Sequence, residues 1–267
     1  MWVIFFASFC VRFVDFSNFL VHYNKCERYY GGFIMAPQLY GKEHILYMVI
    51  TSAMATVGLL LAKKYAKSEK AQTIILKSLG AMLFISIMAN RLSQVFRYGQ
   101  VRWYCIIPDS FCGMTSLVLG LAVLLGKKDN VALHFSWLLG LFGGISTVIY
   151  PAFISQDLSF FYLPTFSGFL HHSFCATTVI ALLLFNQIHI TYKKWYCVVL
   201  GLTCYMTVGA FLMSVFGMSD AYHIVEPLLS DTNLTAWVMA PIYFASHGLI
   251  FAIIELVRKY KKTKSRK

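Results

Sequence analysis

The stretch Phe161-Tyr-Leu-Pro-Thr-Phe-Ser-Gly-Phe-Leu-His-His-Ser-Phe174 sets two adjacent histidines, His171 and His172, inside an apolar run that continues to about residue 188. A run of this length reads as a helix crossing a bilayer, which takes roughly 20 apolar residues. Ionisable side chains in such a segment are costly to insert, so the pair marks either a site or a structural contact. Which residues face them depends on how the rest of the chain is threaded.

The rest is as apolar. Of 267 residues, 58% are hydrophobic, 16% aromatic and only 13% charged, and the mean hydropathy is +0.66. This is the composition of a polytopic membrane protein, with no room for a soluble domain of ordinary size. A formal charge of +12 would suit nucleic acid only on a folded polar domain. Here the charge gathers in short connections and in the tail Arg258-Lys-Tyr-Lys-Lys-Thr-Lys-Ser-Arg-Lys267. The expected partners are therefore membrane lipids and not nucleic acid, no cofactor is called for, and nothing in the sequence speaks to oligomeric state. The seven cysteines are scattered, mostly in apolar runs, and form no CxxC pair, so most read as small buried side chains.

Apolar runs at 44–62, 75–97, 104–126, 132–154, 163–188, 195–217 and 235–257 predict seven spans in an all-α transmembrane bundle. Met1–Leu20 is hydrophobic but interrupted by Arg12 and Asp15, and reads as an eighth span or an interfacial helix. The chain thus divides into an N-terminal segment and connector (1–43), a seven-helix domain (44–257) and a basic tail (258–267). Lys63, Lys64, Lys67 and Lys70 lie in the first loop, Lys127 and Lys128 in the third, and Lys193 and Lys194 in the fifth, whereas 155–162 and 218–234 hold no Lys or Arg. The positive-inside rule then makes this a multi-pass protein of the cell membrane with a cytoplasmic C-terminus.

With each helix rising about 1.5 Å per residue, the polar residues fall mainly in the outer half. His44 stands at the mouth of the first span, and Asn90, Arg91 and Gln94 lie one to two turns into the second. Asp109, Ser110 and Cys112 are read as about two turns into the third, and His171 and His172 as about two turns into the fifth. His247 lies near the middle of the seventh. The inner half is expected to hold little beyond Lys77 and Glu255. Consecutive helical residues point about 100° apart, so one of His171 and His172 is expected to face the cavity and the other a neighbouring helix. Arg91 and Asp109 are suited either to neutralise each other or to serve a site. No HExxH or i,i+4 histidine pair suggests a metal.

For nucleophilic catalysis the useful combination is Cys112 or Ser110 with His171 or His172 as base. Asp109 belongs to the same candidate catalytic group. Arg91 is suited to hold an anion, with His44 and His247 as further candidate substrate contacts. The alternative is a small-solute or proton-coupled transporter or binding protein using the same residues.

Several short segments carry a resemblance. Leu39-Tyr-Gly-Lys-Glu-His-Ile-Leu46, Ile107-Pro-Asp-Ser-Phe-Cys112, Gly140-Leu-Phe-Gly-Gly144 before Pro151, Leu170-His-His172, Phe216-Gly-Met-Ser-Asp-Ala-Tyr222 before Pro227, and Ala240-Pro-Ile-Tyr243 follow one another much as in the YwaF-like integral membrane proteins. The resemblance covers roughly residues 38 to 257. That family looks related to eukaryotic transmembrane protein 164, a membrane phospholipid acyltransferase thought to use a cysteine near a histidine, and more distantly to the androgen-induced membrane hydrolases. The resemblance implies that the helix after Pro108 supplies the nucleophile and the fifth span the histidine. The sequence departs where the family reads Leu-Pro-x-His-x-Cys: Ser110 takes the histidine position, after Asp109. The asparagine expected before the aromatic of the sixth-to-seventh loop is also replaced, around Asp220. The expectation is a lipid acyltransferase or hydrolase with a polar site in the outer half of the bilayer.

Overall fold

The computed structural model describes residues 40–97, 101–151, 154, 159–228 and 232–264. The hydrophobic segment 1–20 lies outside them, with nearly all of its connector.

Among the described residues seven α-helices follow in order: α1 Lys42–Tyr65, α2 Glu69–Val95, α3 Phe111–Leu125, α4 Val131–Ile149, α5 Leu163–Leu184, α6 Trp195–Phe216 and α7 Ala236–Lys264. Among the described residues there is no strand. Their ends follow from local chemistry. The side chains of Ser68, Ser110 and Asn130 each accept a backbone N–H three residues on, capping α2, α3 and α4, where a helix start leaves donors unpaired. Pro164 opens α5, in the turn where a missing N–H costs nothing. Gly217 closes α6 at φ +66°, a conformation that glycine adopts without steric cost.

Six of these helices are long and apolar enough to cross a membrane, and the all-α multi-pass bundle expected from the sequence is what the chain forms. The exception is the third span. Residues expected to be helical from 104 instead make a short 3-10 turn, Trp103–Ile106, then run extended through Ile107 and Ser110 before α3 begins at Phe111. Pro108 accounts for this, because it disfavours helix at the residue before it, and Ser110 is placed to cap the helix that starts next. Asp109 and Ser110 therefore precede the helix, and Cys112 sits in its first turn. At the other end of the chain, α7 continues past 257 into the basic tail.

The core is built on α5, which packs against α2 and α4 with α3 alongside. About two thirds of its most apolar stretch is buried, against very little of α1 or α7. One apolar cluster, including Leu83, Leu119, Trp137, Phe174, Val179 and Phe251, fills the space between α2, α3, α4, α5 and α7. A second joins α3 and α6 to Ala221 and Tyr222 of the following loop. Close approach of α4 to α5 depends on Gly144, where a Cβ would meet the His172 carbonyl oxygen at 2.7 Å.

Candidate functional site

A cavity of about 100 Å³ lies where α2, α3 and α5 meet. Asn90, Arg91 and Gln94 line it from α2, Ser110 and Gly113 from the start of α3, and both His171 and His172 from α5. Helical geometry alone predicts that one of the two histidines faces away. Instead both line the cavity, their rings tilted at 34° with centroids 4.2 Å apart.

Most polar groups on this wall are held by hydrogen bonds. Arg91 donates through Nη1 to the Asp109 carboxylate at 2.7 Å and through Nη2 to the Asn90 side-chain oxygen at 3.2 Å. Its Nε is buried with no partner. Asn90 in turn donates to the Pro164 carbonyl at 3.0 Å and to Ser167 at 3.3 Å, so α5 fixes the group that fixes the guanidinium. Ser110 Oγ accepts the Gly113 N–H at 3.2 Å, which leaves its hydroxyl proton free to point elsewhere. His171 Nδ1 bonds Ser116 Oγ of α3 at 3.1 Å.

Cys112 lies one step away. Its sulfur is directed at α4, where a Cβ on Gly143 would stand 3.0 Å from it, and Thr147 is its hydrogen-bonding neighbour. His172 also reaches the backbone of Gly143. Cys112 and His172 therefore approach the same residue of α4, although Cys112 is not among those lining the cavity. Ser116 and Gly143 organise this region; Gly143 falls in the quoted Gly140–Gly144 segment, but nothing in the apolar sequence around Ser116 singled that residue out.

Two expected contacts lie elsewhere. His44 donates from Nε2 to the Val148 carbonyl at 2.8 Å, and its Nδ1 accepts the Tyr40 N–H at 3.2 Å. With both nitrogens in use it is a clamp between α1 and the end of α4. His247 is buried among Trp137, Tyr243 and Phe251, with the Tyr243 backbone beside its ring. Neither histidine lines the cavity.

The end of the bundle that bears Lys127 and Lys128 is less bare than the sequence suggested. There Asp129 accepts from the buried His134 at 2.8 Å and from the His189 N–H at 2.7 Å. Burial pushes the Asp129 carboxyl up, but those two donors outweigh it and hold the group below the usual carboxylate range. Asp129 takes φ +58°, a turn geometry that aspartate tolerates and that sequence periodicity does not reveal. Among the described residues, no three His, Cys, Asp or Glu side chains converge as a metal site.

Taken together, these features define a multi-pass α-helical membrane protein with a small polar cavity between three of its helices. The model of the TMEM164 family matches residues 39–258, and the chain belongs to that family. No curated protein and no solved structure matches it significantly.

Proposed function

We propose that the chain is a membrane acyl-transfer enzyme acting on lipid, with the cavity between α2, α3 and α5 as its reaction site. The observation that carries this reading is the meeting of Arg91, Ser110, His171 and His172 in one small, polar cavity. The cavity is far below the roughly 300–1,000 Å³ of a site that engulfs a drug-sized ligand. It suits an ester group with part of a headgroup, while acyl chains stay in the bilayer.

In this reading Ser110 or Cys112 attacks the ester carbonyl as its proton passes to a histidine. The C–O bond to the leaving alcohol then breaks, and the imidazolium returns the proton to that oxygen. A second hydroxyl or water resolves the acyl-enzyme, giving transfer or hydrolysis. Ser110 has the advantage of lining the cavity; Cys112 has that of meeting His172 at Gly143. The unpartnered Arg91 Nε is a donor for the oxyanion or for a phosphate. The distribution of Lys and Arg supports a cytoplasmic C-terminus and a cavity in the outer half of the bilayer.

A serine- or cysteine-reactive acyl probe applied to the full chain in lipid nanodiscs tests this. Labelling is expected in the wild type and lost in Ser110→Ala or in Cys112→Ala, whichever bears the acyl group, and in His171→Ala or His172→Ala. No labelling, with solute flux into liposomes that requires Arg91, would overturn the enzyme in favour of a carrier using the same cavity.

A further inference from the structure

The backbone just before α3 runs extended at a depth where its neighbours are helical, so the carbonyls of Pro108 and Asp109 have no helical partners. Non-helical backbone at membrane depth is tolerated only where protein or water satisfies it. Here one residue satisfies both groups. The Tyr222 phenol donates to the Pro108 carbonyl at 2.6 Å, and the Tyr222 N–H donates to the Asp109 carbonyl at 2.7 Å.

Tyr222 belongs to the α6–α7 loop, over a hundred residues away, and is 1% exposed. It takes φ +59°, and His223 beside it takes φ +58°. Two successive non-glycine residues in the left-handed region are strained, and such strain persists where the surroundings over-determine it. The surroundings do so here. The Tyr222 ring lies edge-on to Phe111 at 5.4 Å, the His223 carbonyl accepts the Ala236 N–H at 2.6 Å, and Asp220 accepts the Val225 N–H at 3.0 Å. Burial pushes the Tyr222 phenol up, so it stays a donor at any physiological pH.

We propose that Tyr222 is a positioning residue: a latch from the α6–α7 loop that fixes Pro108 and Asp109, and through them sets the Asp109 carboxylate against Arg91 and Ser110 at the head of α3. Its consequence for the reaction rests on the acyl-transfer reading; the latch itself does not. Tyr205 supplies a control. It is equally buried and donates to Thr115 at 3.2 Å, with no bond to the 108–109 backbone.

The experiment compares wild type, Tyr222→Phe and Tyr205→Phe in nanodiscs by amide hydrogen exchange, thermal unfolding and acyl-probe labelling at several probe concentrations. Tyr222→Phe is expected to speed exchange about tenfold across both 101–113 and 216–228, the scale of one lost buried hydrogen bond. It is also expected to lower the maximal labelling rate while leaving the half-saturating probe concentration unchanged. Tyr205→Phe should alter neither, even where its melting temperature falls equally. Wild-type exchange across 101–113 in Tyr222→Phe overturns the latch. Faster exchange with wild-type labelling reduces it to a structural clasp and overturns the positioning role. A wild type that takes no probe overturns the acyl-transfer reading alone, with exchange still deciding the latch. Should Tyr222→Phe not fold, warming the unmutated chain decides the latch: it requires the two segments to open together, and independent opening overturns it.

Discussion

Arg91 and Asp109 form an ion pair at 2.7 Å whose two ends are unequally solvated, the arginine side chain being 11% exposed and the aspartate 37%. Removing the carboxylate strands a buried guanidinium, whereas removing the guanidinium leaves a carboxylate that water reaches. Asp109→Ala is therefore expected to destabilise the fold by about 1–3 kcal/mol, below the roughly 3–5 kcal/mol of a fully buried pair because solvent screens this one. Arg91→Met should cost less. Thermal unfolding of both variants and the double variant in detergent checks this, and equal losses would mean that the pair is solvated at both ends.

Gly144→Ala places a methyl 2.7 Å from the His172 carbonyl oxygen and 3.0 Å from the Ala176 nitrogen. These are backbone atoms of α5 and cannot swing aside, so α4 and α5 must part, at a cost of about 1–3 kcal/mol. Gly248→Ala is the control, since its Cβ would meet open space. A lowered melting temperature for the first variant and none for the second is the expected pair of results.

His44→Phe keeps an aromatic ring beside Tyr40 and Phe169 but loses the bond to Val148. A loss of about 1 kcal/mol is expected, with acyl labelling intact. Labelling abolished at unchanged stability would make His44 a substrate contact after all.

Asp129 offers a test by pH. Its folded carboxyl lies below its ordinary value of 3.8, so the unfolded chain holds that proton more tightly. The stabilisation is complete above the ordinary value and is lost as pH falls through the lowered one. The gap in melting temperature between wild type and Asp129→Asn should thus hold from about pH 8 to about pH 5 and close below about pH 4. A gap unchanged down to about pH 3 would overturn this role for the carboxylate.

Long apolar runs made the helices legible in the sequence, because a bilayer requires them. The break at Pro108 was written there too, in a proline followed two residues later by a serine cap, but the hydrophobic run on either side masked it. The histidine pair shows a different limit. Knowing that successive residues diverge by about 100° does not say how wide the facing space is, and this cavity admits both. The Asp129–His134 contact depends on a left-handed turn, and Tyr222 on a strained loop reaching across to another helix start. Neither leaves a periodic trace.

α3 has 15 residues and so covers about 22 Å, some 8 Å less than a typical hydrocarbon core. Such a mismatch is met by local thinning of the bilayer or by polar groups drawing the interface inward. On the acyl-transfer reading, the extended 107–110 segment before this short helix is where the interface is drawn inward, toward the Arg91–Asp109 pair. If lipid is the substrate as proposed, its headgroup would then reach the histidines from that side without a helix swinging open, and activity would depend on the thickness of the surrounding membrane.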